Sequence, residues 1–237
     1  MEASDWLRLR DGGGRPSRRA LLDWTLVQLY ELLFAGEYAT GEVLSEVEVA
    51  TRLKVSRTPV RLAFQQLAAD GLLVNSDGTG KTRVAAFGVD DIRELYSIRG
   101  VLEGLAHREA AGKVSGERLA ELAGLLEQLH VAGETGEMSL AADIRFHEVI
   151  CEAAGMDRVL TILRKMWLQT FALVHQLDLG HVYPDKAEIG RVHDDHAAIL
   201  VALRAGDPAA SEAAVIAHLQ RARDSLLSAV AATQSGG

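Results

Sequence analysis

Apolar residues recur at helical spacing along most of this chain, and the most informative helix lies between residues 56 and 71. Its apolar stripe is formed by four residues: Val60, Ala63, Phe64 and Leu67. Ser56 is a suitable N-cap, Pro59 falls in the first turn, and Gly71 suits the C′ position that ends a helix. The pattern therefore predicts one short helix with defined ends.

The opposite face of this helix is rich in cations and amides. Residues 52–61 contain Arg52, Lys54, Arg57 and Arg61 and no acid. Arg side chains can donate to guanine or to phosphate, and Gln65 can pair with adenine, so this face suits the major groove of DNA. A solvated basic surface is the alternative interpretation.

The flanking segments favour the DNA-binding interpretation. A second short helix, capped by Ser45, precedes the first, and Lys54 and Val55 form the turn between them. The segments Leu72-Leu73-Val74 and Thr82-Arg83-Val84-Ala85 flank turn-forming residues, which predicts a β-hairpin. Two helices, a tight turn and a hairpin constitute a winged helix-turn-helix.

Three short segments resemble the DNA-binding domain of the GntR family of bacterial transcription regulators: Leu44-Ser45-Glu46, Val55 to Arg61, and Asp70-Gly71-Leu72. The resemblance covers residues 17–86. It departs at Thr40-Gly41, where a proline is frequent, at Val47, where Arg or a polar residue is usual, and at Leu62, where Glu is usual. The resemblance and the polar face together imply a set of DNA-contacting residues: Ser45, Lys54, Ser56, Arg57, Thr58, Arg61, Gln65, Lys81 and Arg83.

Beyond residue 87 every periodic segment is helical, which predicts an antiparallel bundle of about six helices. The predicted helices are Asp91–Ala111 with Asp90 as cap, Glu117–His130, Leu140–Ala154, Arg158–Leu177, Asp185–Ala205 and Pro208–Val230. The fold class is thus mainly α, with a small β wing. We expect a flexible arm at 1–16, a DNA-binding domain at 17–86, a helical domain at 87–232 that binds an effector and forms the dimer, and a disordered tail at 233–237.

Charge and composition refine this picture. The chain has 237 residues and a net charge of −8, but residues 1–84 carry 11 basic and 11 acidic residues, whereas residues 85–237 carry 14 and 22. DNA binding must therefore depend on a local basic surface. The single cysteine, Cys151, fits a reducing cytoplasm, and neither a signal peptide nor a membrane-spanning segment is predicted.

Four polar residues in the helical part have the spacing of a metal site. Asp143 and His147 are four residues apart on one helix, so they share a face. His196 and His218 each lie ten residues from a Gly206–Pro208 turn, so an antiparallel hairpin would bring them level. Three imidazoles and one carboxylate suit a divalent transition metal (Zn, Ni, Mn or Fe, with Zn favoured). Four unrelated polar residues are the alternative.

Residues 90–230 resemble the helical ligand-binding domain, called FCD, of the FadR subfamily. The shared features are Arg99-Gly100-Val101-Leu102-Glu103-Gly104, Asp143 with Phe146-His147, His196 before Ala197-Ala198-Ile199-Leu200, and His218. In that family the four polar positions bind a metal, which helps to bind a small carboxylate effector. Met156 and Asp195 replace a frequent Asn and Glu, and both lie outside the implied ligand set.

Arg99 has two interpretations from sequence. It could form an ion pair with Glu103 one turn along the helix, or it could receive the carboxylate of the effector. Four histidines without a partner pattern are interpreted as surface or structural residues: His107, His130, His175 and His181. His193, three residues before His196, is ranked below the four metal candidates.

The leading functional hypothesis is a repressor that binds a palindromic operator in double-stranded DNA as a homodimer and responds to a small organic acid. A regulator that responds to the metal itself is one alternative. A metal-dependent enzyme is another, although no His-Glu-x-x-His motif supports it. The last alternative is a regulator whose metal has a purely structural role.

Overall fold

The computed structural model describes residues 18–75, 81–135, 140–176 and 186–235. The predicted arm at 1–16 lies outside the described residues. The chain divides into two compact units, one of Met1–Phe87 with Leu168–Asp178 and one of Gly88–Trp167 with Leu179–Gly237. The helices are α1 (Arg18–Phe34), α2 (Glu46–Leu53), α3 (Arg57–Ala69), α4 (Val89–Ala110), α5 (Gly116–Thr135), α6 (Leu140–Ala153), α7 (Asp157–Gln176), α8 (Lys186–Ala205) and α9 (Pro208–Ser235).

The helix-turn-helix follows the predicted signals closely. Ser45 caps α2, with its hydroxyl accepting a 3.4 Å hydrogen bond from the Glu48 amide. Lys54 ends α2 in the left-handed region at φ 56°, which makes the tight turn into α3. Ser56 occupies the N-cap of α3 but makes no capping hydrogen bond through its side chain. Gly71, at φ +78°, follows the end of α3 as expected.

The β-sheet has one more strand than the sequence predicted. Strands β2 (Leu73–Asn75) and β3 (Thr82–Val84) form the antiparallel hairpin, and β1 (Val43–Leu44) pairs with the other edge of β3. Leu44 therefore belongs to a strand before α2, because Ser45 interrupts the chain between strand and helix. The tip of the predicted wing lies outside the described residues.

The core of the first unit includes residues from the far end of α7. Leu29, Val60 and Leu67 are almost completely buried at its centre. Ala172 of α7 joins them, and the Phe171 ring lies edge-on to Phe34 with centroids 4.1 Å apart. The sequence assigned these two α7 residues to the helical domain, whereas they complete the core of the winged helix.

The second unit is the expected all-helical bundle. Its first helix, α4, begins at Val89 with Gly88 as the N-cap, so the predicted Asp90 cap is wrong. The Gly88 amide instead donates a 2.7 Å hydrogen bond to the carboxylate of Asp91, because an acid in the first turn can reach back to the cap. At the other end, α9 continues to Ser235, into the segment predicted as a tail.

Two features fix the geometry of the bundle around its core. Gly206, at φ +64°, closes the α8–α9 hairpin, and Gly104 lets α4 approach α9, since a Cβ there would stand 3.3 Å from Ile216.

Cys151 lies fully buried on α6, and burial raises the pKa of its thiol well above its ordinary value. Among the described helices, none combines the length and apolar character needed to cross a membrane.

Candidate metal centre and DNA-contacting surface

The four residues predicted as metal ligands converge on one point of the second unit. One potential ligand atom from each of Asp143, His147, His196 and His218 lies within 4.8 Å of the others. His196 Nε2 is 3.0 Å from Asp143 Oδ1. The His196 and His218 ring centroids are 4.5 Å apart, and the His147 ring lies 5.2 Å from that of His218. These separations allow all four groups to reach one ion.

Three helices supply these groups, as the sequence pattern predicts. Asp143 and His147 lie one turn apart on α6, and the α8–α9 hairpin brings His196 opposite His218. The three imidazoles are buried, with His147 and His196 completely inaccessible. The ring of Phe146, also fully buried, packs edge-on against His196 with centroids 4.9 Å apart and limits its movement.

Several buried nitrogen atoms at this point lack a hydrogen bond. Within the described residues, His147 Nε2, His196 Nε2 and His218 Nδ1 are inaccessible to solvent and have no hydrogen-bond partner of acceptable geometry. Leaving a buried polar atom unsatisfied typically costs about 1–3 kcal/mol. His196 Nε2 lies beside the Asp143 carboxylate, whereas His218 Nδ1 lies 3.6 Å from Asp195 Oδ2, outside the proposed ligand set. Unsatisfied imidazole nitrogens beside a carboxylate are donors that a divalent transition metal would satisfy.

The electrostatics favour the protonation states that metal binding requires. Burial lowers the pKa of His147 well below its ordinary value and also lowers that of His218, with neighbouring imidazoles adding to both effects. Burial alone would raise the pKa of Asp143, but the polar contact with His196 at 3.0 Å and the charge of that imidazole outweigh it and hold the pKa low. The carboxylate is therefore ionised at neutral pH, while His147 and His218 are neutral.

His196 behaves differently from the other imidazoles. Burial lowers its pKa, but the adjacent Asp143 carboxylate more than compensates and raises it above the ordinary value. Its Nδ1 lies 2.8 Å from the Val192 carbonyl oxygen, one turn earlier on α8. That contact fixes the proton on Nδ1 and directs Nε2 towards Asp143 and the other ligands.

Two further residues lie behind His147, and sequence reasoning missed their place in the site. His107, interpreted as surface or structural, is completely buried with its Nε2 3.5 Å from His147 Nδ1. Burial lowers the pKa of His107 to about 3. Glu103, also fully buried, has Oε2 3.3 Å from the same His147 nitrogen. The spacing of Arg99, Glu103 and His107 by four residues placed them on one face of α4, and that signal could have found them.

Arg99 makes the ion pair that the sequence offered as one interpretation. Its Nε donates a 2.7 Å hydrogen bond to Glu103 Oε1, and both side chains are almost completely buried. The guanidinium also lies over the Tyr96 ring, 4.9 Å from the centroid. Burial raises the pKa of Tyr96 to about 12, although the Arg99 charge opposes that increase. Arg99 is thus a fixed cation inside the bundle.

His193, the other histidine near the proposed ligands in sequence, does not join them in the structure. His193 is partly exposed, with its Nδ1 3.6 Å from the Asp194 carboxylate. The side chains of His130 and His175, and the whole of His181, lie outside the described residues.

The polar face of α3 is exposed in the first unit. Thr58, Arg61 and Gln65 face solvent, while the predicted apolar stripe is buried. Leu62 is 43% exposed on this helix and Val47 is 53% exposed on α2. Two of the positions that depart from the usual residues of the resembled family therefore place apolar side chains on the surface.

The predicted cation cluster is partly neutralised by acids from elsewhere in the chain. Arg57 pairs with Glu46 at 3.3 Å, and Arg52 pairs with Glu37 at 3.1 Å. These acids lie outside residues 52–61, so the local sequence did not reveal them. Both arginines remain substantially exposed, and exposed ion pairs contribute little stability.

The remaining candidates lie around the helix-turn-helix and the hairpin. Lys54 and Lys81 are exposed, Ser45 and Ser56 are the N-caps of α2 and α3, and Arg83 is half-buried. Arg83 Nη1 donates a 3.0 Å hydrogen bond to the Gly41 carbonyl oxygen.

Comparisons with known protein families agree with this architecture. Residues 27–82 match the family described as bacterial regulatory proteins, gntR family, and residues 94–221 match the FCD domain. The FCD match covers more than half of the chain. The chain therefore belongs to the GntR family of bacterial transcription regulators and carries an FCD domain.

Individual relatives of the chain are also transcription regulators. The chain is 32% identical to a probable D-xylose utilization operon transcriptional repressor of Paenarthrobacter nicotinovorans, over 78% of this chain and 79% of that protein. It is 30% identical to the transcriptional repressor RspR of Escherichia coli, over 79% and 81% respectively. The solved structure of E. coli McbR/YncC matches with a TM-score of 0.71 and 25% identity, over 84% of this chain and 93% of that one. The chain is therefore a transcription regulator rather than an enzyme.

Proposed function

We propose that this regulator is a repressor whose affinity for operator DNA changes when a small organic acid binds at a metal site in the helical unit. The observation that carries the proposal is the convergence of Asp143, His147, His196 and His218, with buried ring nitrogens of His147 and His196 that lack a hydrogen bond of acceptable geometry. Without a ligand for these nitrogens, apolar side chains at the same positions would give a lower free energy of the folded state.

DNA binding is assigned to the exposed face of α3. Arg61 and Gln65 lie one turn apart there, which suits base contacts in the major groove. Arg57 and Lys54 lie at the start of the helix, where contact with phosphate is expected. Arg83 and Lys81 on β3 and next to it would contact the flanking backbone or minor groove.

The four converging residues would hold a divalent transition metal, with Zn favoured by the three imidazoles. A bound metal of this kind would supply a Lewis-acid centre with coordination positions open to oxygen ligands. Arg99 is proposed to orient the carboxylate of the effector. Because Glu103 and Tyr96 already fix its guanidinium, little side-chain entropy would be lost on binding.

Homodimerisation is assigned to the second unit. Ile98, Val101 and Leu105 lie along one exposed stripe of α4, and Val101 is 70% exposed. A two-fold dimer would carry two winged helices and read a palindrome in the cytoplasm, where bacterial DNA is located. Effector binding would then change operator affinity by favouring one arrangement of the two.

The test uses the full chain and an operator selected from a random duplex library. DNA affinity is measured by fluorescence anisotropy with zinc, with a panel of small carboxylates, and with both. We expect at least one carboxylate to change the affinity of the zinc-loaded protein and to have no effect on His196→Ala, which should still bind DNA. Zinc alone producing the full response would support the metal-sensing alternative. Unchanged zinc content in both His147→Ala and His196→Ala would contradict the metal site.

A further inference from the structure

Glu103 occupies an unusual position directly behind the metal-ligand candidates. Its side chain is completely buried, and one oxygen, Oε1, accepts hydrogen bonds from Arg99 Nε at 2.7 Å and from the Trp167 indole N–H at 2.9 Å. The other oxygen, Oε2, has no hydrogen-bond partner within the described residues, yet it lies 3.3 Å from His147 Nδ1. The carboxylate is thus held firmly by one oxygen, while its other oxygen lies 3.3 Å from His147 Nδ1 without a hydrogen bond of acceptable geometry.

We infer that Glu103 is a positioning residue for the metal site: it accepts the Nδ1 proton of His147 and so directs Nε2 of that ring to the metal. This inference rests on the proposed metal site. Neutral imidazole carries one proton, and a ring that binds a metal through Nε2 must carry it on Nδ1. A carboxylate behind that nitrogen fixes the tautomer, orients the ring and makes it a stronger ligand.

His107 is the competing acceptor for the same proton. Its Nε2 lies 3.5 Å from His147 Nδ1, at the long limit of a hydrogen bond. Glu103 is closer, carries a full negative charge and has an oxygen that otherwise remains unsatisfied in the interior. A hydrogen bond to a buried charged acceptor is stronger than one to a neutral acceptor, so Glu103 dominates.

A second metal ion is the other arrangement that these residues could support. One potential ligand atom from each of Glu103, His107 and His147 lies within 4.8 Å of the others. Two observations oppose it. His147 would have to lose its one ring-nitrogen proton and become an imidazolate to bind one ion through each nitrogen, and the Arg99 cation lies in direct contact with Glu103. The structure therefore favours one ion with Glu103 and His107 behind it.

The experiment measures zinc affinity of the full chain by competition with a chromophoric chelator, and zinc stoichiometry by mass spectrometry. Glu103→Gln should lower zinc affinity by about 10- to 100-fold, the usual effect of removing such a partner. Stoichiometry should remain one ion per chain. In proton–nitrogen correlation spectra of the zinc-loaded protein, the resonance of the proton on His147 Nδ1 should shift upfield in this variant. The reason is that its hydrogen-bond acceptor has lost its charge. A merely structural role would not move that resonance.

Glu148→Gln is the matched control, because Glu148 is an equally buried glutamate that pairs with Arg145 and Arg164 instead. It should lose stability but keep the zinc affinity and the His147 resonance of the parent protein. If Glu103→Gln fails to fold, Trp167→Phe decides the question, since it removes one hydrogen bond from Glu103 and preserves its charge. That variant should show a smaller loss of affinity in the same direction.

The outcomes separate this inference from the metal site itself. Loss of zinc in His196→Ala with parental affinity in folded Glu103→Gln, or in Trp167→Phe when only that variant folds, would overturn the role of Glu103 alone. Retention of zinc in both His196→Ala and Glu103→Gln would overturn the proposed metal site. Two zinc ions per chain would overturn the inference in favour of the second site.

Discussion

The side-chain amide of Gln169 donates a 2.8 Å hydrogen bond to the backbone carbonyl oxygen of Asp70, the residue that caps the C-terminal end of α3. The carboxylate of Asp70 is buried and accepts hydrogen bonds from Tyr30 at 3.1 Å and from Gln66 at 3.0 Å. The end of the helix assigned to DNA is therefore held by side chains from α1 and α7 as well as by its own backbone.

Gly71→Ala should destabilise the first unit through this contact. The residue has φ +78°, and a Cβ would stand 2.3 Å from Gln169 Nε2. The conformation costs about 1–2 kcal/mol for a non-glycine residue. Displacement of Gln169 would add about 0.5–1.5 kcal/mol by breaking its hydrogen bond to Asp70. Urea denaturation measures the sum.

Gly36→Ala separates the two contributions to that loss. Gly36 has φ +70° and open space around the position of a Cβ, so alanine there bears the conformational cost alone. The difference between the two variants should vanish in a Gln169→Ala background. Equal losses at Gly36 and Gly71 in the parent chain would show that the Gln169 contact adds no stability.

Tyr30→Phe should lower the free energy of unfolding by about 1–2 kcal/mol at neutral pH, because it removes a donor from the buried Asp70 carboxylate. Burial, reinforced by Asp70, raises the pKa of the Tyr30 hydroxyl well above its ordinary value. The folded chain therefore keeps this proton at a pH where the unfolded chain begins to lose it, and stability declines as the pH rises above about 10. The variant should lack this part of the alkaline decline, and a parallel decline in both proteins would contradict the assignment.

Local signals explain why the helix-turn-helix could be predicted. Ser45 and Gly71 act within one or two turns of their own positions, so a short stretch of sequence is sufficient to identify them. Strand β1 escaped prediction because two residues cannot display a period of two, and β1 exists only through its pairing with β3. The Arg57–Glu46 pair escaped for a similar reason, since it depends on how α2 packs against α3.

The residues of the proposed metal site also divide into those that local sequence signals relate to one another and those that only tertiary packing brings together. Helical spacing predicted that Asp143 and His147 share a face of one helix. The glycine turn between α8 and α9 predicted that His196 and His218 lie at the same level of the hairpin. The four-residue spacing of Glu103 and His107 indicates that they share a face of α4, but it does not show that this face lies next to His147, because that depends on the rotation of α4 against α6. Helical periodicity identifies α7 but carries no information on which unit each end of that helix joins, so the place of Phe171 was missed.

The two arginines assigned to DNA should differ in their contribution. Arg61→Ala should weaken binding to the selected operator by about 1–3 kcal/mol and relax sequence preference at one position, as expected for a base contact. Arg57 is paired with Glu46, so Arg57→Ala should cost less and reduce the salt dependence of binding instead. Glu46→Gln should raise affinity, because it releases Arg57 from that pair and removes a negative charge near the phosphates. Anisotropy titrations at several salt concentrations measure all three effects, and parental affinity in both arginine variants would refute the assignment of α3.

Val101→Asp should convert the proposed homodimer to a monomer. Ile98, Val101 and Leu105 are spaced three and four residues apart on α4, and they are 39%, 70% and 40% exposed. A single copy leaves this stripe in water, whereas a second copy packed against it would bury all three residues and would exclude a charge at the centre. Val201→Asp is the matched control, because Val201 is 64% exposed on α8 of the same unit and does not belong to the stripe. Sedimentation of the full-length variants at micromolar concentration should give a monomer for Val101→Asp and a dimer for Val201→Asp, with unchanged helical content in both. A dimer that persists in Val101→Asp, or that dissociates only in Val201→Asp, would move the interface away from α4.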